Sequence, residues 1–185
     1  MVRGRLSMLA FAALTASVVA TTPSPAPAAT GAEISRDASA ALSTLYRSQP
    51  AAKALGQRAK GILVFPHMLK AGFMFGGQIG EGALMKRGKT VGYYNSVAAS
   101  YGLQAGAQKF GYALFFMNDA ALKQLDATKG FEVGVGPSIV VVDAGLARSM
   151  TTNTLTSDVY AFIFSQKGLM AGLGIQGSKI SKISK

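Results

Sequence analysis

Apolar side chains recur at three- and four-residue intervals near the start of the chain, and this pattern predicts helices. In residues 33–47 the recurring positions are Ile34, Ala38, Ala41, Leu42 and Leu45. They would lie on one face of a short helix. Pro50 suits the first turn of a second helix through residues 51–60. We therefore expect two short helices before the first strand.

Beyond residue 60, short runs of β-branched and aromatic residues separated by glycines predict strands. Residues 97–108 alternate between two sets of side chains, as the two faces of a strand require. A third short helix is expected at residues 120–126, where Asn118 and Asp119 provide a cap. The other expected strands cover residues 61–66, 71–75, 112–117, 131–142, 159–166 and 169–177.

The connections between these strands are too short for helical crossovers, which favours antiparallel pairing. We predict an α+β fold, with a strongly curved, mainly antiparallel β-sheet or half-open barrel and short N-terminal helices. A chain of 185 residues is long enough for one domain with a core of its own.

The first 28 residues have the pattern of a secretory signal. Arg3 and Arg5 precede an uncharged apolar run at residues 6–20. This run of 15 residues is shorter than the roughly 20 that a membrane-spanning helix needs. Cleavage is expected after Ala20 or after Ala28, and we favour Ala28. The predicted organisation is a signal peptide at residues 1–28, a flexible leader at 29–32 and a single domain at 33–185.

The glycine-rich stretch at residues 59–89 raises the question of a phosphate-binding loop. Its central part contains Gly72, Gly76, Gly77, Gly80 and Gly82. Neither the dinucleotide spacing G-x-G-x-x-G nor the phosphate-loop spacing G-x-x-x-x-G-K-[ST] occurs in it, and no helix is expected after it. We interpret these glycines as points at which strands bend.

The residues that carry most enzyme chemistry are few. The chain has no cysteine and a single histidine, His67, expected in an exposed turn beside Pro66. No nucleophile-elbow spacing accompanies this histidine. Glu81 is the only charged residue between Lys70 and Lys86, and we expect it to pair with a lysine rather than to act as a catalytic acid. The sequence therefore favours a non-enzymatic protein without a cofactor.

Basic residues outnumber acidic ones by 19 to 8, which gives a net charge of +11. They fall into three groups, which are Lys53, Arg58, Lys60 and Lys70, then Lys86, Arg87 and Lys89, then Lys167, Lys179, Lys182 and Lys185. Such groups either keep a surface soluble or bind an anionic partner. Export and the lack of a recognised motif disfavour nucleic acid. Four or five basic side chains on an anionic bilayer would supply only about 4 to 5 kcal/mol, so membrane binding also needs apolar contacts.

Several blocks of residues resemble the SYLF domain family in the same order. They are Arg58-Ala59-Lys60-Gly61, residues 69–77, Gly80-Glu81-Gly82, residues 101–106 and residues 165–172. The resemblance covers about residues 40–183. Eukaryotic members of this family bind phosphoinositide-rich membranes, and some bind actin. Bacterial members are exported proteins or lipoproteins with an implied lipid-binding activity.

The resemblance implies a non-enzymatic lipid-binding domain that acts at the bacterial cell envelope. The expected partner is an anionic phospholipid or a membrane surface, and the expected location is periplasmic or exported, peripheral on a membrane. The expected lipid-binding residues are Lys60, Lys70 and Lys167, which lie in matching blocks, together with Arg58 and Lys53. The alternative is a structural module that binds an envelope protein and no lipid.

Overall fold

A computed structural model describes residues 28–126, 131–132, 139–142, 156–168 and 178–185 of the chain. Almost all of the predicted signal peptide, the predicted strand at residues 169–177 and part of the one at 131–142 lie outside these ranges. Within them, no helix combines the length and the hydropathy needed to cross a bilayer.

Three helices form where the sequence predicts them. They are α1 (Gly31–Ser48), α2 (Pro50–Arg58) and α3 (Asp119–Leu125). Four of the five positions expected to face the core from α1 are buried. Helix α1 starts within the segment 29–32 that the sequence predicts to be a leader. Thr30 and Glu33 form a reciprocal capping box, which starts the helix at Gly31.

The largest element is a hairpin of two long strands, β1 (Gly61–Lys86) and β2 (Lys89–Phe116). Arg87 and Gly88, both with positive φ, form the tight turn between them. The sequence predicts separate strands at residues 61–66 and 71–75, which are in fact parts of β1. It also predicts separate strands at residues 97–108 and 112–117, which are parts of β2. These predicted breaks are therefore wrong. The register shifts between Phe65 and Met68, where a β-bulge bends the strand without ending it.

Four shorter strands complete the described part of the sheet. They are β3 (Phe131–Glu132), β4 (Ile139–Val141), β5 (Val159–Gly168) and β6 (Lys179–Ile183). Strand β2 pairs with β1 on one side, and with β5 and β6 on the other. Only the pairing of β4 with β5 is parallel in the described residues. The predicted α+β fold with a curved, mainly antiparallel sheet is confirmed.

The sheet buries apolar side chains on both faces. Helices α1 and α2 cover one of them, which we call the helix-side face. Its core includes Ile62, Val64, Ala113, Phe115, Tyr160, Phe162 and Phe164. The opposite, concave face is called the inner face, and α3 packs against it. Its core includes Leu63, Phe65, Met68, Tyr94, Phe110, Tyr112 and Leu114. The hairpin is thus a layer between two cores.

Glycines allow β1 to curl across its own first half. A Cβ atom at Gly82 would lie 2.5 Å from the carbonyl oxygen of Val64, and one at Gly80 would lie 3.1 Å from that of His67. Any side chain at these positions would hold the two segments apart. The strand-bending interpretation of the glycine-rich stretch is confirmed here. A phosphate loop is excluded, because the stretch is continuous strand.

A polar contact joins the end of α3 to the sheet. The Tyr94 hydroxyl donates a hydrogen bond to an Asp126 carboxylate oxygen at 2.6 Å, and Lys182 Nζ lies 3.3 Å from the same oxygen. The Tyr94 bond is the main cause that lowers the pKa of Asp126 below its ordinary value of 3.8, and Lys182 adds to it. The ionised form of Asp126 therefore stabilises the fold.

The Tyr94→Phe variant is expected to lose about 1 kcal/mol of unfolding free energy at neutral pH, because Asp126 loses its strongest partner. The value is kept small because the Asp126 side chain is 47% exposed. A lowered pKa gives stability that is present above the unfolded value and disappears as pH falls through the folded value. Urea unfolding at neutral pH and well below pH 3.8 measures this. A difference between variant and wild type that stays constant with pH would contradict it.

Candidate functional site

A groove of about 400 Å³ runs between α1 and one end of the sheet. Strands β1, β2 and β5 all contribute to it. Its lining residues are Asp37, Ala40, Ala41, Thr44, Pro66, His67, Lys109, Phe110, Phe164, Ser165 and Lys167. The lining thus combines an apolar wall with charged side chains from three elements.

Two lysines stand directly opposite each other at this end of the sheet. Lys109 of β2 and Lys167 of β5 are cross-strand partners and therefore lie on the same face. Both are exposed, and neither forms a salt bridge with another described residue. Like charges at directly opposed positions destabilise a sheet. An anion between the two ammonium groups would remove this repulsion.

The same row of the sheet continues into an exposed apolar side chain. Leu69 of β1 is the cross-strand partner of Lys109 and is 40% exposed. Leu69, Lys109 and Lys167 thus form one row across three strands, which we call the lysine row. An apolar side chain beside two cations suits a ligand that has both a charged head and an apolar part.

A β-bulge in β5 sets the position of Lys167. The register with β2 shifts between Lys109 and Gly111, and the bulged residue Ser165 has a φ of 53°. A non-glycine residue in this left-handed region is uncommon, and such residues cluster at functional sites. Gly168 has a φ of 107° and lies against the carbonyl group of Ala107. The end of β5 is therefore held tightly against β2 beside the groove.

Part of the groove wall is apolar. Phe164 is buried on the helix-side face, and its ring lies where a side chain at position 111 would otherwise be. Gly111 therefore makes room for this ring. Ala40 and Ala41 form the opposite wall, on α1. Their small side chains keep the groove open between helix and sheet.

Among the described residues that line the groove, Asp37 is the acidic one. Its carboxylate accepts a hydrogen bond from Arg36 Nε at 3.0 Å and lies 3.4 Å from His67 Nε2. Asp37 is therefore engaged at the His67 side of the groove. His67 is exposed, as expected, but it lies within the β-bulge of β1 and not in a turn between strands.

The basic residues predicted to bind lipid do not form one site. Lys167 lies in the groove, whereas Lys53 and Arg58 are exposed on α2 and Lys60 is exposed directly after it. Lys60 directly precedes Gly61, which aligns across β2 with Val159 at the start of β5. Lys167, near the end of β5, is about 26 Å further along at 3.3 Å per residue. Lys60 and Lys167 cannot hold the same headgroup.

Lys70 is buried, with 4% of its surface exposed. Its cross-strand partner is Gln108, one position from Lys109, so Lys70 points to the inner face and not to the groove. The expectation that Lys70 belongs to an exposed basic surface is therefore wrong, because the alternation of the strand places it on the inner face.

Glu81 has the structural role expected from the sequence. Its carboxylate lies 2.9 Å from Lys185 Nζ, which also donates a hydrogen bond to the carbonyl oxygen of Ala29. The pair joins β1 to the C-terminal residues and to the residue before the cap of α1. No group of three or more potential metal ligands of the types His, Asp and Glu is present in the described part of the chain.

Sequence reasoning missed Lys109 as a site residue. Lys109 is a single lysine that follows the small residues at 105–107, and nothing near it in the sequence indicates its partner. The pairing with Lys167 depends on the register between strands 58 positions apart, which only the folded sheet reveals. The available signal was that Lys167 lies near a strand end, where a partner from the neighbouring strand was to be expected.

The described residues thus form a curled antiparallel sheet backed by helices, with a groove that combines cations and an apolar wall. Residues 97–185 match the family model described as "Ysc84: Las17-binding protein actin regulator". The resemblance to the SYLF family is confirmed, and this part of the chain belongs to the Ysc84 (SYLF) domain family.

Curated relatives come from Saccharomyces cerevisiae. Protein YSC84 of strain ATCC 204508 / S288c is 28% identical over 131 residues. LAS seventeen-binding protein 3, from strain YJM789 and from strain ATCC 204508 / S288c, is 33% identical over 135 residues. Each alignment covers 67% of this chain but 28% of the relative. The chain thus spans little more than a quarter of the length of these relatives.

Proposed function

We propose that this domain binds anionic phospholipid without catalysing a reaction, and that the lysine row and the adjoining groove hold the headgroup. The observation that carries the proposal is the directly opposed pair of Lys109 and Lys167, neither of which has an acidic partner in the described residues. A phosphate group between them would replace a repulsion by two charge-assisted hydrogen bonds.

Charge alone does not give stable membrane binding. Each lysine near an anionic surface contributes about 1 kcal/mol, so the pair contributes about 2 kcal/mol, which is far from a micromolar affinity. The exposed Leu69 beside Lys109 supplies an apolar contact with the acyl region. The alanine and phenylalanine side chains that line the groove extend this contact.

The predicted signal peptide supports an exported protein, so the surface concerned would be a membrane of the bacterial envelope. The protein would then be periplasmic and peripheral. Lys53, Arg58 and Lys60 face solvent elsewhere on the domain. They would add long-range attraction to the same surface without holding the headgroup that the groove binds.

Vesicle flotation tests this proposal. The chain beginning at Ala29, the expected mature form, is mixed with vesicles of phosphatidylcholine alone or with phosphatidylglycerol added. Binding is expected only to the anionic vesicles and should weaken as salt rises, because the lysine row is exposed. Absence of binding to both vesicle types at low salt would refute the proposal.

A second candidate function is the binding of an envelope protein. Ile79 and Val97 are cross-strand partners on the helix-side face, and they are 56% and 45% exposed. The matched family is described as a Las17-binding protein actin regulator, and one relative is named LAS seventeen-binding protein 3. Both descriptions support protein interaction as a function of this domain. Capture of a partner that is lost on Ile79→Lys substitution, by a protein that binds no vesicles, would favour this function over lipid binding.

A further inference from the structure

The inner face of the hairpin contains polar side chains deep inside the fold. Lys70, Gln78, Ser96 and Gln108 are each at most 6% exposed. The buried atoms Gln78 Nε2, Ser96 Oγ, Gln108 Oε1 and the Tyr112 hydroxyl have no hydrogen-bond partner. Buried polar atoms are nearly always paired in folded proteins, so a group of unpaired ones requires an explanation.

The curl of β1 brings these residues towards one another. Gly82 lies against Val64, and Gly80 lies against His67 and Met68. The second half of β1 therefore crosses the first half in the opposite direction. Gln78 lies two residues before Gly80, and Lys70 lies two residues after Met68. Because the two segments run in opposite directions, the same crossing brings Gln78 towards Lys70.

The pairing of β1 with β2 adds the other two residues. Gln108 is the cross-strand partner of Lys70. Ser96 is a diagonal neighbour of Gln78, because Gln78 pairs with Ala98 and Ser96 pairs with Gly80. The register thus places the four polar side chains on the concave side of the curl, and we call them the inner polar cluster. The Tyr112 hydroxyl lies on the same face of β2.

The buried polar atoms without a hydrogen-bond partner on this face are mainly hydrogen-bond donors. They comprise one amide N–H group and two hydroxyl groups against one amide oxygen. Burial raises the pKa of Tyr112, so its hydroxyl keeps the proton that it can donate. Among the buried polar residues that the structure describes, Lys70 is the basic one, and it is itself engaged in an interaction. Several donors around one cation are the complement of an oxyanion with a single negative charge.

We propose that the inner polar cluster is a second ligand site, separate from the groove, which binds a singly charged oxyanion. A fatty-acid carboxylate and the phosphodiester of a phospholipid both have this chemistry. The groove and the cluster lie on opposite faces of the same strands, since Lys109 and Gln108 are adjacent in β2. The inner site therefore does not depend on the proposed membrane surface.

The test begins with the full chain purified under mild conditions. Native mass spectrometry is expected to detect one small ligand per chain, and extraction under denaturing conditions followed by mass spectrometry identifies it as a carboxylate or a phosphodiester. In addition, ligand-stripped protein is titrated with oleate and with dihexanoyl phosphatidylglycerol, and its Tm is recorded. At least one of these probes should raise the Tm.

The Gln78→Met/Gln108→Met variant is expected to bind the ligand at least 10-fold more weakly than the wild type. Its ligand-stripped form should be no less stable than stripped wild type, because unpaired buried polar groups are replaced by apolar side chains of similar size. A merely structural role for the two glutamines predicts the reverse, a lowered Tm. Gln57→Met, on the exposed surface of α2, is the matched control and should retain the ligand.

Three results would overturn the inner site. They are a purified wild type with no oxyanionic ligand whose Tm responds to neither probe, a double variant that retains the ligand, and a double variant whose stripped form unfolds at a clearly lower temperature. The Lys109→Glu/Lys167→Glu variant should keep the inner ligand while it loses vesicle binding. Vesicle binding thus tests the groove, and retention of the bound ligand tests the inner site, so the failure of one proposal can be told from the failure of the other.

Discussion

Reversal of both charges in the lysine row, in a Lys109→Glu/Lys167→Glu variant, is expected to weaken binding to phosphatidylglycerol-containing vesicles by about 1000-fold. Each lysine contributes about 1 kcal/mol near an anionic surface, and a glutamate in its place adds a repulsion of similar size. The total change of about 4 kcal/mol corresponds to about three orders of magnitude in the dissociation constant. Titration of protein with vesicles at low salt measures the effect.

The matched control is a Lys53→Glu/Lys60→Glu variant. It carries the same change in net charge, and both of its substituted residues are exposed at the α2 end of the domain. We expect it to lose less than 10-fold in vesicle binding, because these residues provide only long-range attraction. Equal losses in the two double variants would show that net charge, and not the lysine row, determines binding. Circular dichroism establishes that both variants are folded.

The helices could be predicted because their signals are local. Thr30 and Glu33 are three residues apart and cap α1 reciprocally, and Asn118 accepts a hydrogen bond from the backbone of Ala121 to cap α3. The apolar residues of α1 recur at intervals of three and four positions within four turns of the helix. Such patterns need no knowledge of what the helix packs against.

The ends of the strands could not be predicted in the same way. Glycines and Pro66 suggest breaks in β1, yet the strand continues past all of them, because a bulge or a close backbone approach uses the same residues as a turn. Strand β6 has two isoleucines among two lysines and one serine, a composition that is typical of an exposed tail. Pairing with Tyr93–Val97 of β2 makes it a strand and buries Ile180.

The candidate site depends on which face of the sheet each lysine occupies. Lys70 and Lys167 both looked like surface residues in the sequence, but a shift of one residue exchanges the faces of a strand. One extra residue in β1, in the bulge between Phe65 and Met68, sets the alternation of β1 that follows. It places Leu69 in the lysine row and Lys70 in the inner polar cluster. Neither assignment follows from composition or charge.

Substitution of Gly82 by alanine is expected to destabilise the domain by about 2 kcal/mol or more. The new Cβ atom would lie 2.5 Å from the Val64 carbonyl oxygen and within 2.6 Å of the Phe65 ring. Backbone cannot move aside as a flexible side chain can, so the curl of β1 has to open. For a domain of about 150 residues this loss lowers Tm by roughly 4 to 8 °C. Urea unfolding and a thermal scan measure the change.

Gly77→Ala is the matched control, because Gly77 lies in the same strand and its new Cβ atom would be 3.7 Å from the nearest atom, the Ala98 carbonyl oxygen. That is an ordinary contact. Alanine restricts the unfolded chain more than glycine does, so this variant should be neutral or more stable by about 0.5 kcal/mol. If both variants lost similar stability, the glycines of β1 would be needed for backbone flexibility in general. A loss confined to Gly82→Ala would instead identify the close approach of two segments of one strand as the feature that fixes the curvature of the sheet, and with it the position of the inner polar cluster.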